Sequence, residues 1–396
     1  MSTADHERLV VIGNGMAGAR VVEEILQRDA ERFTITMFGA EPYGNYNRIL
    51  LSNVLNGSQK IEETVLNPLA WYESNHITLH AGVKATLIDR KRRVVVGNAL
   101  RRGASPYGLD THDPHGVAIE EPYDKIIVAT GSRPFVPPLE GMGKPGTFLF
   151  RTLDDCEQIA TYAKGCRSAV VVGGGLLGLE AARGLLTHGV EVTVIEALPQ
   201  LMAAQLDPES AALLKTTIER MGIHVLLAKS SSQVLGEERV TGIQFNDGTT
   251  LDTDMVVVSA GIRPITEIAK DSGLAVERGI VCDDQLRTND PDIFAVGECV
   301  QHRGVIYGLV DPIWQQAKTI ADVLTGINPR ATYLGSKLAT KLARIIHEKA
   351  GRNGSALLRF EVVKTFRPSA EERADDRVYC TTFLRLPSNR PDYRSF

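Results

Sequence analysis

Apolar and polar positions follow one repeated order along this chain: a short β-rich apolar run, a glycine turn, a stretch with helical spacing, and a second apolar run. The fullest copy spans Ser168 to Ala197. There Ala169 to Val172 leads into Gly173-Gly-Gly-Leu-Leu-Gly178, Leu179 to Thr187 continues with helical spacing, and Val190 to Ile195 returns as a strand closed by Glu196. The opening stretch repeats it. Leu9 to Ile12 precedes Gly13-Asn-Gly-Met-Ala-Gly18, a helical run reaches about Arg28, and Phe33 to Phe38 returns as a strand. Two more apolar strands, within Tyr123 to Pro134 and Met255 to Pro264, echo each other and close on Thr130-Gly131 and Ala260-Gly261. Strands alternating with helices in this way predict an α/β fold with two three-layer units.

Between these landmarks the pattern is less regular. Glu41 to Ser52 is a turn-rich loop, and Ile77 to His80, Lys84 to Asp89 and Val94 to Val96 read as short strands. Arg90 to Pro122 reads as a hairpin with a long tip, and Pro137 to Thr152, rich in Pro and Gly, as a crossing between units. A helix is expected over Pro208 to Met221 and a hairpin around Asn246-Asp-Gly248. Phe294 to Gly297 reads as a strand. Asp311-Pro312 reads as an N-cap with proline at the first helical position, opening a helix over Ile313 to Leu324.

The glycine spacing carries chemistry. In a Rossmann-like unit the first glycine (Gly13, Gly173) makes the tight turn and the second (Gly15, Gly175) admits backbone to a pyrophosphate. The third (Gly18, Gly178) lets helix pack on strand. Unpaired N–H groups at a helix N-terminus favour phosphate, so Met16, Ala17 and Leu177 join the candidate contacts. Glu196, eighteen positions past Gly178, falls where a carboxylate accepts from the adenosine ribose. A 2′-phosphate there would meet a like charge, a repulsion of roughly 1 to 4 kcal/mol. NADH is therefore expected over NADPH. In the first unit Gly39 and Ala40 intervene before Glu41, the candidate ribose ligand, and Arg48 is a lone cation suited to pyrophosphate or a flavin edge. Glu298 is placed to accept from a ribityl hydroxyl.

Composition narrows the class. The 396 residues are 43% hydrophobic and 23% charged, with 44 Lys and Arg against 48 Asp and Glu. No basic surplus points to nucleic acid. No run of about 18 apolar residues points to a membrane span, and the polar N-terminus does not resemble a signal peptide. The five cysteines, Cys156, Cys166, Cys282, Cys299 and Cys380, show no C-x-x-C spacing. A cytoplasmic protein without a local redox dithiol is expected. His76 and His80 lack neighbouring ligands in sequence, so no metal is assigned.

Several of these features together resemble the two-dinucleotide flavoprotein reductases of the rubredoxin and ferredoxin reductase class. They are the two glycine fingerprints, Ala129-Thr-Gly-Ser-Arg-Pro134, Leu179-Glu180 and Thr288 to Glu298. Tyr46 to Ser52, Phe150 to Cys156, Leu206-Asp207, Ala295 to Cys299, His302 to Gly304 and Tyr307 to Leu309 are similar to the NADH- and FAD-binding portion of the assimilatory nitrite reductase large subunit. The resemblance covers about residues 8 to 342. It implies FAD on residues 1–140 and 262–330, with Thr130, Gly131 and Glu298 near the cofactor. NADH falls on residues 141–261, with Gly261 at the border and Glu180 near the nicotinamide. Glu298 stands where most related reductases carry aspartate.

The implied activity is hydride transfer from NADH to FAD and release of electrons to an acceptor protein or subunit of iron–sulfur, rubredoxin or sirohaem type. Homodimerisation stays open. The iron–sulfur and sirohaem-binding parts of a nitrite reductase are not in this sequence, so the chain alone is not expected to reduce nitrite. An NADH oxidase or a disulfide or peroxide reductase is one alternative. A non-catalytic, redox-sensing flavoprotein is another. Residues 331–396 read as a truncated or divergent interface domain, and from Lys337 onward 13 Lys or Arg stand against 7 Asp or Glu. That surplus suits either docking to an acidic carrier or a divergent tail.

Overall fold

The computed structural model describes residues 6–100 and 118–335, together with the strands Arg344–His347, Leu357–Val362 and Cys380–Arg385. The tip expected within Arg90 to Pro122 lies partly outside the described residues, as does most of the charged tail. The three C-terminal strands pair antiparallel in sequence order.

Two five-stranded, mainly parallel sheets are built from β1 (Glu7–Ile12), β2 (Phe33–Gly39), β3 (Thr78–Ala81), β4 (Lys125–Val128), β5 (Ser168–Val172), β6 (Glu191–Glu196), β7 (Ile223–Leu227), β8 (Met255–Val258) and β9 (Ile293–Ala295), with Thr147–Leu149 as a tenth strand at the edge beside β8. The longer helices are α1 (Met16–Arg28), α2 (Leu153–Ala163), α3 (Leu176–Leu186), α4 (Pro208–Arg220) and α5 (Val310–Thr325). The first sheet runs β9-β4-β1-β2-β3, and the second places β8-β5-β6-β7 side by side. In both, the strand before the glycine turn is central, flanked by the returning strand and the later echo. Leu9 to Ile12, Ile126 to Val128, Ala169 to Val172 and Met255 to Val258 are buried throughout. Unbroken apolar runs of this kind are what a parallel sheet covered on both faces requires.

Each sheet anchors one compact unit. The first comprises Met1–Pro137, Leu149–Lys164 and Gly261–Gly335, and the second includes Pro138–Phe148 and Gly165–Ala260. The expected 141–261 block is thus interrupted, because α2 groups with the first unit. Its contacts explain this: Tyr43 donates to Asp154 at 2.6 Å, and buried Cys156 lies with its Sγ 3.5 Å from the Leu51 carbonyl.

Within the first unit the two echoes meet as a short ribbon, Ser132–Pro134 pairing antiparallel with Ile262–Pro264. Glu24 on α1 is buried between Arg20 and Arg28; Arg28 reaches Asp322 on α5 at 2.6 Å, and Arg20 lies over the Trp314 ring. These contacts fix α5 against α1.

One local expectation is corrected. α5 opens at Val310, not Ile313, and its N-cap is Leu309 with no side-chain bond. Asp311 sits inside the first turn and accepts from Gln315 at 2.8 Å, while Pro312 is tolerated there because a first-turn N–H has no helical partner. His80 lies 2.7 Å from Glu121, a residue brought beside it by tertiary folding.

Candidate functional site

The two glycine turns are nearly superimposable in their constraints. Gly13 and Gly173 have φ of +120° and +123°. A methyl on either would lie 2.2 Å from the Ala129 carbonyl oxygen or 2.3 Å from that of Ser259. On Gly18 or Gly178 it would lie 2.0 Å from the carbonyl oxygen of Gly13 or Gly173, so helix and strand approach as only glycine permits. At Gly15 and Gly175, by contrast, nothing stands within 4 Å, and both residues N-cap their helices without any side-chain bond. The N-termini of α1 and α3 therefore keep amide donors and the positive end of the helix dipole for an anion. Met16 begins α1, and Leu176 begins α3 with Leu177 next, the two leucines 55% and 36% exposed. Ala17 faces Gly297, whose φ is +95°; a methyl there would be 2.9 Å from the Ala17 Cβ.

In the second unit Glu196 ends β6 and folds back on the turn. Its Oε2 accepts from the Gly174 N–H at 2.7 Å and its Oε1 from Leu198 N–H at 2.9 Å. Glu180, on the second turn of α3, is half-buried. Burial pushes its carboxyl above the ordinary glutamate range, with Arg183 opposing. Among the described residues it has no hydrogen-bond partner. Gly261, φ +105°, accepts from Phe135 N–H at 2.8 Å and belongs to the first unit.

The first unit surrounds its turn with paired charges. Glu41 and Arg48, expected as separate ligands for ribose and for pyrophosphate or flavin, are bonded to each other. Glu41 also accepts from Tyr46 at 2.6 Å, and Arg48 lies over the Tyr46 ring and donates to the Arg151 carbonyl at 3.0 Å. Glu298 accepts from Ser132 at 2.6 Å and from Arg151 at 2.5 Å. Thr130 donates to the Ile265 carbonyl at 2.7 Å, and Gly131 turns with φ +66°. The structure thus brings Glu41, Arg48 and Glu298 into one network through Arg151, a residue that sequence reasoning did not single out. Its signal was the Thr152 to Asp155 spacing just after it, a capping box in which Asp155 Oδ2 accepts from Arg151 and Thr152 N–H, each at 2.8 Å. Burial, helped by nearby Glu41, raises the Asp155 carboxyl to about 6 against the opposing hydrogen bonds from Thr152 and Arg151.

Two buried donors around this network have no acceptor among the described residues: Arg151 Nε and Gln316 Nε2. Gln316, fully buried on α5, spends its Oε1 on the Gly297 N–H at 3.0 Å. An unpaired buried donor costs about 1–3 kcal/mol. FAD, which carries an anionic pyrophosphate, fits the open, uncapped helix N-terminus at Gly15.

Three of the described thiols are held away from solvent. Cys156, Cys282 and Cys299 are buried, and burial pushes each thiol well up, away from the reactive thiolate. A surface groove in the first unit, lined by Glu277, Asp284 and Arg303 among others, includes none of the expected site residues. Among the described residues no helix is long and apolar enough to cross a membrane.

Comparison with known proteins agrees with this geometry. Residues 7–319 match the family model described as pyridine nucleotide-disulphide oxidoreductase. The chain is 44% identical over 336 residues to "Nitrite reductase [NAD(P)H]" of Bacillus subtilis, which covers 85% of this chain and 39% of that protein. It is 40% identical over 348 residues to the "Assimilatory nitrate reductase electron transfer subunit" of the same organism, covering 87% of this chain and 43% of that one. The chain therefore spans about two fifths of the length of these curated relatives. Among solved structures, a ferredoxin reductase from Rhodopseudomonas palustris matches with a TM-score of 0.75 at 26% identity, over 96% of this chain and 89% of that one.

Proposed function

The chain belongs to the pyridine nucleotide-disulphide oxidoreductase family, and from that premise we propose that it is an FAD-dependent NADH:acceptor oxidoreductase feeding a separate redox partner. The observation that carries the reading is the glycine turn built twice, uncapped and open at Gly15 and at Gly175. We assign FAD to the first unit, residues 1–137, 149–164 and 261–335, and NADH to the second, residues 138–148 and 165–260.

When bound, FAD supplies the chemistry: it takes a hydride from NADH and can release the two electrons one at a time. The side chains bind and orient. Amides at the start of α1 and α3 take the pyrophosphates. Glu196, already fixed on two backbone N–H groups, keeps acceptor capacity for a ribose diol and opposes a 2′-phosphate. Glu298, held by Ser132 and Arg151, serves the ribityl chain. Glu180 sits near the nicotinamide, where its desolvated carboxyl holds a proton more readily than an ordinary glutamate. No nucleophile is needed, which fits the buried thiols.

The acceptor is an iron–sulfur, rubredoxin or sirohaem component, in line with the relatives' names, and the working compartment is the cytoplasm. Steady-state NADH oxidation with ferricyanide, before and after alkylation of accessible thiols, tests this reading. Turnover that survives alkylation is expected. Loss on alkylation would move the protein to the thiol-dependent reductases, and absence of multiple turnover would make it a sensor.

A further inference from the structure

The two turns differ at the residue after the first glycine, Asn14 in one and Gly174 in the other. Strand register fixes which positions correspond. Gly13 N–H donates to the Phe38 carbonyl at 2.9 Å and Gly173 N–H to that of Ile195 at 2.8 Å, so Gly39 at the end of β2 stands where Glu196 ends β6. At each turn these two positions face one another across one small space. A Cβ on Gly174 would lie 3.0 Å from both the Cβ and the Oε2 of Glu196, with Leu201 Cδ2 at 2.6 Å, and a Cβ on Gly39 would lie 3.0 Å from the Cβ of Asn14. Neither glycine has a left-handed φ, so facing side chains, not the backbone, explain both. The second unit fills the space from the strand, and the first fills it from the turn.

Asn14, like Glu196, is fixed at both polar ends. Its Oδ1 accepts from the Tyr72 hydroxyl at 2.7 Å, and its Nδ2 donates to the Tyr43 carbonyl at 3.3 Å. Tyr72, buried on the short helix Leu69–Ser74, also accepts from Asn45 N–H at 3.1 Å. Burial pushes its phenol up, so the hydroxyl stays a donor. Asn45 Nδ2 donates to Asn67 at 2.8 Å and Asn67 Nδ2 to Glu23 on α1 at 2.9 Å, tying the turn to the helix it opens. A polar side chain locked beside a binding turn is in place before the ligand arrives. Glu41, the nearest acid in sequence, is taken by Arg48 and Tyr46. Resting on the FAD assignment above, we infer that Asn14, positioned by Tyr72, takes the place at the flavin adenosine that Glu196 takes at the NADH adenosine. The exchange of Gly174–Glu196 for Asn14–Gly39 leaves the first site without the carboxylate that opposes a 2′-phosphate in the second. An amide donates and accepts without charge, so it serves a ribose diol and repels no anion.

The test uses the full chain, stripped of flavin and reconstituted with FAD, with affinity read by quenching of FAD fluorescence and fold by circular dichroism. Asn14→Gly is expected to weaken FAD by about tenfold, and Gly39→Glu, which crowds Asn14, by at least as much. The double variant Asn14→Gly/Gly39→Glu rebuilds the arrangement of the second unit and should bind FAD about threefold or more tighter than either single variant. Tyr72→Phe, which leaves Asn14 in place without its donor, should weaken FAD by a smaller factor. Charge gives a readout that loss of packing would not move. With ADP-ribose and its 2′-phosphate as competitors of FAD, the double variant should disfavour the phosphorylated form about fivefold or more relative to wild type. Folded Asn14→Gly and Tyr72→Phe variants that bind FAD within about twofold of wild type would overturn this inference alone. So would a double variant that fails to recover FAD affinity or to gain that discrimination. Wild-type protein that takes up no FAD would overturn it together with the proposed function.

Discussion

The two nucleotide-binding units share a sheet order, a glycine turn and an uncapped helix, and differ in what stands around the turn. The first is enclosed by Glu41, Arg48, Arg151, Ser132 and Glu298, each bonded to another member of the set. The second offers Glu196 on the turn, a desolvated Glu180 and two leucines open to solvent. A cofactor that stays bound through many turnovers gains from a rigid, densely paired polar cage. A substrate that must leave each cycle gains from a site with few fixed partners. On the proposed assignment the same backbone device would serve retention in one unit and exchange in the other, with the difference set by side chains outside the fingerprint.

The sharpest way to separate the units is to damage one turn at a time. Gly173→Ala would put a Cβ 2.3 Å from the Ser259 carbonyl oxygen on a backbone with φ of +123°, a cost of at least about 3 kcal/mol. It should raise the KM for NADH by about 100-fold or more while the flavin spectrum stays. Gly13→Ala, whose Cβ would lie 2.2 Å from the Ala129 carbonyl oxygen, should instead give colourless protein. If both variants lose flavin equally, the division of roles is wrong. Next in size is Glu196→Arg, which removes the like charge opposing a 2′-phosphate. The NADH/NADPH ratio of kcat/KM should fall about tenfold or more, and an unchanged ratio would remove Glu196 from the ribose site.

A smaller effect should appear in the paired network itself. The Asp155 carboxyl is raised from 3.8 to about 6, so the folded protein keeps that proton at pH values where the unfolded chain has lost it. Stability from this group is complete below about pH 4 and is lost as pH rises toward 6. Asp155→Asn cannot titrate. Chemical unfolding should therefore show the variant gaining roughly 1–3 kcal/mol relative to wild type between pH 4 and pH 7; a difference that does not change with pH would refute it. The least change is expected from Glu180→Gln, with flavin reduction by NADH slowed less than about tenfold. Any pH dependence just above the ordinary glutamate range should flatten, because burial raises this carboxyl. Retention of that dependence in the variant would clear Glu180 of a role.

How much of this the amino-acid sequence revealed follows from the range of the interactions. The glycine turns were legible because their reasons are local: a positive φ, a close approach and an open helix end within six residues. The place of Glu196 at the end of the returning strand was legible because that strand has a fixed length. The helix start at Val310 was misplaced by three residues because Asp311-Pro312 has the composition of a cap, while the chain enters the helix earlier through an apolar residue with no capping side chain. Arg151 and Gln316 were hidden for a different reason. Their partners lie 147 residues away at Glu298 and 19 away at Gly297, and no local pattern encodes a bond that only tertiary folding creates. The pairing of Glu41 with Arg48 went unseen although the two are seven residues apart, since both read as ligands when considered singly.

The central claim is that one unit retains a flavin which the nucleotide of the other reduces. Its most direct test is a visible spectrum of the purified protein followed by anaerobic titration with NADH. The account predicts a flavin spectrum that bleaches fully with about one equivalent of NADH, as a two-electron hydride donor requires. A protein that stays colourless after incubation with FAD, or a bound flavin that NADH fails to bleach, would contradict it.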